Sequence, residues 1–149
     1  SDTDTIFALS TPPAKSGLAV IRLSGRHALA SLRRLSKLES VRPRHAHYAS
    51  FFDPATGELI DKGLAIFFKG PASFTGEDVV ELHMHGSIAA IRQMQTILTG
   101  MEGLRPALAG EFSRRAFLNG KMDLMEAEGM ADLIDAETSQ QKSPALRQM

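Results

Sequence analysis

A chain of 149 residues can hold one domain with a real core, or one domain and a piece of a second. Hydrophobic residues (43%) and charged residues (23%) stand in ordinary globular proportion, and 17 Lys and Arg balance 17 Asp and Glu, which argues against non-specific nucleic-acid binding and confines any RNA contact to a local patch. The absence of cysteine excludes disulfides, thiol catalysis and thiolate metal sites from this segment and fits a reducing compartment, and no apolar run approaches the roughly 20 residues that span a membrane.

The start, Ser1 to Thr5, is polar and acidic and is expected to be neither a signal nor a transit peptide; serine in place of methionine suggests a trimmed or engineered end. Thr5 to Ser10 reads as a short strand, Thr11 to Gly17 as a turn-rich loop, and Leu18 to Ser24 as a second strand closed by Gly25. From His27 to Leu38, Ala28, Leu29, Leu32, Leu35 and Leu38 recur at helical spacing, opposite Arg33, Arg34 and Lys37, with Ser24-Gly25 as the start signal. Arg42 to His47 is a basic connector. Tyr48 to Phe52 is a predicted strand, Asp53 to Gly57 a hairpin turn, and Leu64 to Lys69 the returning strand. Gly70 to Asp78 is too broken by Gly and Pro to be regular.

Val79 to His85 alternates, with Val80, Leu82 and Met84 on one side and Glu81, His83 and His85 on the other. Gly86-Ser87 turns the chain into a helix over Ile88 to Leu98. After a connector from Gly100 to Gly110, a third helix is predicted over Glu111 to Leu118, stopped by Asn119-Gly120. Asp123 to about Gln141 carries a long helical pattern through Leu124, Ala127, Met130, Ala131, Leu133 and Ile134, which Ser143-Pro144 interrupts. No internal repeat is evident. A boundary near Gly120 separates an α+β domain, residues 1–120, from residues 121–149, whose apolar stripe finds no partner in so short a remainder and is expected to begin an all-helical domain.

Catalytic motifs are absent: there is no G-x-x-x-x-G-K-[ST] phosphate loop and no G-x-S-x-G nucleophile elbow. The one tight constellation is Glu81, His83 and His85, spaced roughly 7 Å per two-residue step on one strand face. Three readings stay open on local pattern alone. The group is a metal site, since imidazole and carboxylate suit zinc or iron; or the histidines bond backbone or water; or Glu81 recognises a ligand.

Several blocks resemble one family. Asp4-Thr5-Ile6 through Ser10-Thr11-Pro12-Pro13, with Ala19 to Gly25 (AVIRLSG), is similar to the opening of the MnmE (TrmE) tRNA modification GTPases. Ser73 to Glu81 (SFTGEDVVE) with His85-Gly86, Gly110 to Leu124 (GEFSRRAFLNGKMDL) and Glu126 to Ala136 also resemble that family. Ala14-Lys15-Ser16, Ser87 and Ala109 depart from its pattern at loop positions without removing a candidate ligand-contact side chain.

The resemblance implies an α+β fold with a mixed sheet and packed helices, like the folate-binding domain of aminomethyltransferases, followed by the first helix or helices of an all-helical domain. It implies a GTPase domain, with its GTP, Mg and K sites, outside this chain, and no catalytic residue within it. It implies a homodimer that works with flavin-containing MnmG (GidA) on tRNA, at carbon 5 of the wobble uridine, in the bacterial cytoplasm or in an organelle. A reduced folate, 5-formyl- or methylene-tetrahydrofolate, is the implied one-carbon donor, and Arg22, Glu81 and Lys121 match the family's folate contacts. The chemistry fits. A pterin offers two adjacent N–H donors that one carboxylate accepts in parallel, and the folate tail is anionic and suits a cation. Phe74 and Phe117 could stack on the pterin but are expected in the core. Arg33, Arg34, Lys37, Arg42 and Arg44, and the pair Arg114-Arg115, read as solvated faces or as local tRNA patches. Competing readings are an RNA-docking or structural dimerisation module without folate, and a metal-dependent hydrolase built on Glu81, His83 and His85.

Overall fold

Alternating apolar residues, punctuated by Gly, Pro and Asp, give six strands and three helices in the computed structural model, which describes residues 3–10, 18–85, 87–123, 125, 126 and 129. In chain order these are β1 (Thr5–Leu9), β2 (Ala19–Ser24), α1 (Ala28–Ser36), β3 (His47–Phe52), β4 (Leu59–Phe68), β5 (Val79–Met84), α2 (Ile88–Thr99), β6 (Leu104–Pro106) and α3 (Glu111–Leu118). The strands form one mixed sheet in the order β3-β4-β5-β2-β1-β6. Among the described residues only the β1–β6 pair is parallel; the others are antiparallel. The expected α+β mixed sheet is therefore present.

The two-residue period divides the sheet into two faces. Ile21, Leu23, Phe51, Phe67, Leu82 and Met84 point to one face, where α1 brings Leu32 and Leu35 and α2 brings Met94 and Leu98. Each such side chain removed from water contributes about 1.5–3 kcal/mol. Val80, Leu82 and Met84 are buried as the alternation requires.

Register lays out the other face as three rows across the strands. Tyr48, Leu64, His83 and Val20 form the first, and Ile66, Glu81, Arg22 and Ala8 the second. Phe68, Val79, Ser24, Ile6 and Arg105 form the third. Contacts from Glu111 and Arg115 place α3 over the third row. Tyr48 in the first row stays 68% exposed.

Some expectations need correction. β4 begins at Leu59, not Leu64, because pairing with β3 carries Asp61-Lys62-Gly63 into the ladder, with β5 joining at Gly63. Gly63 fits there because any Cβ would collide with the His83 carbonyl. The 100–110 connector contains β6, a three-residue strand held by β1 and ending on an edge proline. Ser24-Gly25 does precede the start of α1, whose Ala28 N–H bonds the Gly25 carbonyl at 3.2 Å, but the Ser24 hydroxyl is engaged elsewhere and Thr5 Oγ1 accepts the His27 N–H at 2.9 Å. Ser87 does cap α2, accepting from the Ala90 N–H at 3.2 Å. The loop 11–17 and all but a few residues of the predicted helix 123–141 lie outside the described residues.

Candidate functional site

The second row puts Arg22 on β2 directly opposite Glu81 on β5. Arg22 Nη2 and Nε donate to the same carboxylate oxygen, Glu81 Oε2, at 3.1 and 3.3 Å. The other oxygen, Oε1, meets His83 Nε2 at 3.0 Å. Because an ionised carboxylate only accepts, Nε2 carries the proton in that bond. Glu81 is 17% exposed, so its charge is half-dry but reachable. Phe74, from the loop 70–78, lies against Arg22 with the guanidinium carbon 5.7 Å from the ring centroid.

Lys121 follows the turn after α3 and donates from Nζ to the Pro71 carbonyl at 3.1 Å. The structure thus pairs Arg22 with Glu81 and ties Lys121 to the loop that carries Phe74. Gly76 packs that loop against the same turn: its φ is 82°, and a Cβ there would lie 2.8 Å from the Asn119 Cβ.

His85 leaves the group. β5 ends at Met84, and the His85 ring bonds the Lys62 carbonyl through Nδ1 at 2.8 Å while the His85 backbone N–H donates to Asp61 Oδ2 at 3.0 Å. Among the described residues no three His, Asp or Glu side chains converge as a metal ion would require. Phe74 and Phe117 are not core residues. They are 39% and 37% exposed, because both belong to the loop-and-α3 layer and not to the sheet–helix interface.

Arg115 also departs from expectation, since it is buried and not part of a surface pair. Its guanidinium reaches Glu77 at 3.1 Å and Glu111 at 3.4 Å. Glu111 takes Arg105 on both oxygens, at 2.8 and 2.6 Å, and Arg105 Nε donates to Asp4 at 3.0 Å. At the other end the Ser24 hydroxyl donates to Glu77 and contacts Thr75 Oγ1, both at 2.7 Å. This chain of alternating charge was missed in the sequence. Only the Glu111–Arg115 spacing of four along a helix signals part of it. The Arg105 bonds, aided by the Leu108 N–H and opposed by burial, hold the Glu111 carboxyl down at about 2.

The mixed sheet carries a part-exposed ion pair on one face and a second ion chain with a dry centre beside it, and the class of protein is shown by the family match: the family described as "GTP-binding protein TrmE N-terminus" matches residues 5–121. The chain belongs to this TrmE (MnmE) family. It is 58% identical, over 98% of its length, to a protein of Parvibaculum lavamentivorans named tRNA modification GTPase MnmE, and covers 33% of that protein. It is 51% identical over 98% of its length to a mitochondrial 5-taurinomethyluridine tRNA synthase subunit of Danio rerio, covering 29% of it. A mitochondrial tRNA modification GTPase of Dictyostelium discoideum is 49% identical over 98% of the chain, which covers 30% of it. The chain spans about a third of the length of the curated relatives it matches. No helix among the described residues is long and apolar enough to cross a membrane.

Proposed function

We propose that this chain is the reduced-folate-binding and dimerising N-terminal part of a GTPase that modifies the wobble uridine of tRNA at carbon 5, together with a flavin-containing partner of the MnmG type. Residues 1–120 form the folate-binding unit and 121–149 begin the helical domain, with the GTP, Mg and K sites in the GTPase domain beyond. The bacterial relatives favour the cytoplasm as the site of action, and the mitochondrial ones an organelle.

The observation that carries this reading is Glu81. Sheet geometry presents its carboxylate on the part of the face that α3 leaves open, beside a cation and an aromatic ring. A pterin edge with two N–H donors fits that acceptor, and Arg22 and Lys121 suit the anionic tail. Calorimetric titration with 5-formyltetrahydrofolate tests it. Glu81→Gln turns one acceptor into a donor facing a pterin N–H, at a cost of about 2–4 kcal/mol, or about thirtyfold to a thousandfold in affinity. Unchanged affinity removes Glu81 from the site, and a collapsed thermal midpoint makes it a structural carboxylate. One observation favours the second reading, a docking and dimerisation module without folate: Arg22 and His83 already engage both Glu81 oxygens. Absence of any binding by the unaltered chain would select it.

A further inference from the structure

The Arg22–Glu81 contact has an unexpected form. Arginine and a facing carboxylate ordinarily close as a fork, two nitrogens on two oxygens. Here both nitrogens crowd one oxygen, Oε2, at 3.3 and 3.1 Å. The other oxygen is withheld by His83 Nε2 at 3.0 Å. His83 stands two residues along the same strand, so its side chain leaves the same face. Val20 on β2 and Leu64 on β4 flank it in register, and its backbone carbonyl lies against Gly63, where no side chain can intervene.

We propose that His83 is a positioning residue of the reduced-folate site, keeping Glu81 from closing as a fork onto Arg22 and so holding the carboxylate ready for a two-donor ligand edge. The inference rests on the folate reading above. A full fork would satisfy both charges internally, and a ligand would have to break two bonds on Arg22 before it could use either oxygen. With His83 in place, Oε1 keeps an unused acceptor direction and only Oε2 must be released. Release has a natural exchange, because the guanidinium that leaves Oε2 can turn to an anionic tail. A ligand that offers both a two-donor edge and an anion replaces both halves of the pair, whereas a ligand with one of them strands a charge.

Two substitutions separate positioning from plain structural support. His83→Phe keeps ring bulk and removes the donor; His83→Gln keeps an N–H donor. Binding of 5-formyltetrahydrofolate to the 149-residue chain is followed by calorimetry, with thermal unfolding alongside. The expected result is about a tenfold or greater loss of affinity in His83→Phe, a thermal midpoint that holds or rises as the fork closes, and near-normal binding in His83→Gln. Wild-type affinity in His83→Phe overturns the role of His83 and leaves the folate reading intact. Loss of binding in both variants together with a fall in midpoint overturns it too, by making His83 structural. No binding by the unaltered chain overturns both.

Discussion

Replacing Glu111 by glutamine removes one charge from the buried middle of the ion chain while conserving the shape of the side chain. Glu111 is nearly inaccessible, and its carboxylate accepts from Arg105 on both oxygens and from the Leu108 N–H at 2.9 Å. Those bonds favour the ionised form in the fold and are lost on unfolding, so the folded group titrates at about 2 against an ordinary 4.5. At about 1.4 kcal/mol per tenfold change in proton affinity, the difference contributes about 3 kcal/mol. For a depressed acid this stability is fully present above pH 4.5 and is lost as pH falls towards 2. Glu111→Gln should therefore cost a few kcal/mol near neutrality, about 3 by the same linkage, because Arg105 and Arg115 lose their shared counter-charge. Its stability should fall less steeply than wild type between pH 4.5 and 2. Urea unfolding of both proteins at steps across this range measures the two slopes. Parallel slopes would refute the assignment of this acid sensitivity to Glu111.

Three further outcomes are expected. The chain should run as a dimer by light scattering at micromolar concentration, and Leu64→Asp, placed beside exposed Tyr48 on the open sheet face, should shift it to monomer; a monomeric wild type with an intact fold counts against dimerisation. Because the sequence has no phosphate loop, purified chain should neither bind nor hydrolyse GTP, and turnover by homogeneous material would show that its domain content is misread. Thr75→Val keeps the volume of a fully buried side chain but removes its contacts with the Ser24 hydroxyl and the Glu77 N–H, so chemical denaturation should show a loss of about 1–3 kcal/mol, and no loss would mean that the hydroxyl is not a working part of the chain.

What could be read in the sequence was whatever short-range chemistry decides. α3 falls on the predicted residues because Gly110 and Asn119-Gly120 bracket a short amphipathic stretch. β5 declares its faces by alternation, which puts Glu81 opposite the buried Val80, Leu82 and Met84. The misses share one cause, a neighbour distant in sequence. Asp61-Lys62-Gly63 has the composition of a turn, yet β3 draws all three into β4 and β5 joins at Gly63. Leu104–Pro106 is too short for any period and is a strand only because β1 lies beside it. Arg114-Arg115 looks like a surface pair until Glu77, 38 positions earlier, reaches Arg115. Of the candidate site, Arg22 and Glu81 are joined by strand register, which sequence does not state; His83 was placed on the right face with its role left open.

The two charged systems of this domain meet on one strand, and only one of them has a dry centre, the pair Glu111 and Arg115. Asp4, Arg105, Glu111, Arg115 and Glu77 alternate in sign around a dry centre, Glu111 with Arg115, where removing one partner costs roughly 3–5 kcal/mol; Asp4, Arg105 and Glu77 on either side are part-exposed. Its dry centre makes the chain a tie between α3 and the elements around it. What it ties is the loop 70–78: Glu77 and Thr75 are held by Arg115 and Ser24, and Asn119 Nδ2 donates to the Thr75 carbonyl at 2.9 Å. Phe74 is thereby fixed against Arg22, and Lys121 meets the same loop at Pro71. Arg22, Glu81 and Lys121 are paired as well, but water reaches them, so a ligand can take the place of a partner without stranding a dry charge. Ser24 lies two residues beyond Arg22 on the same strand face. One strand therefore serves both systems, and the one with the dry centre holds the exchangeable one in register.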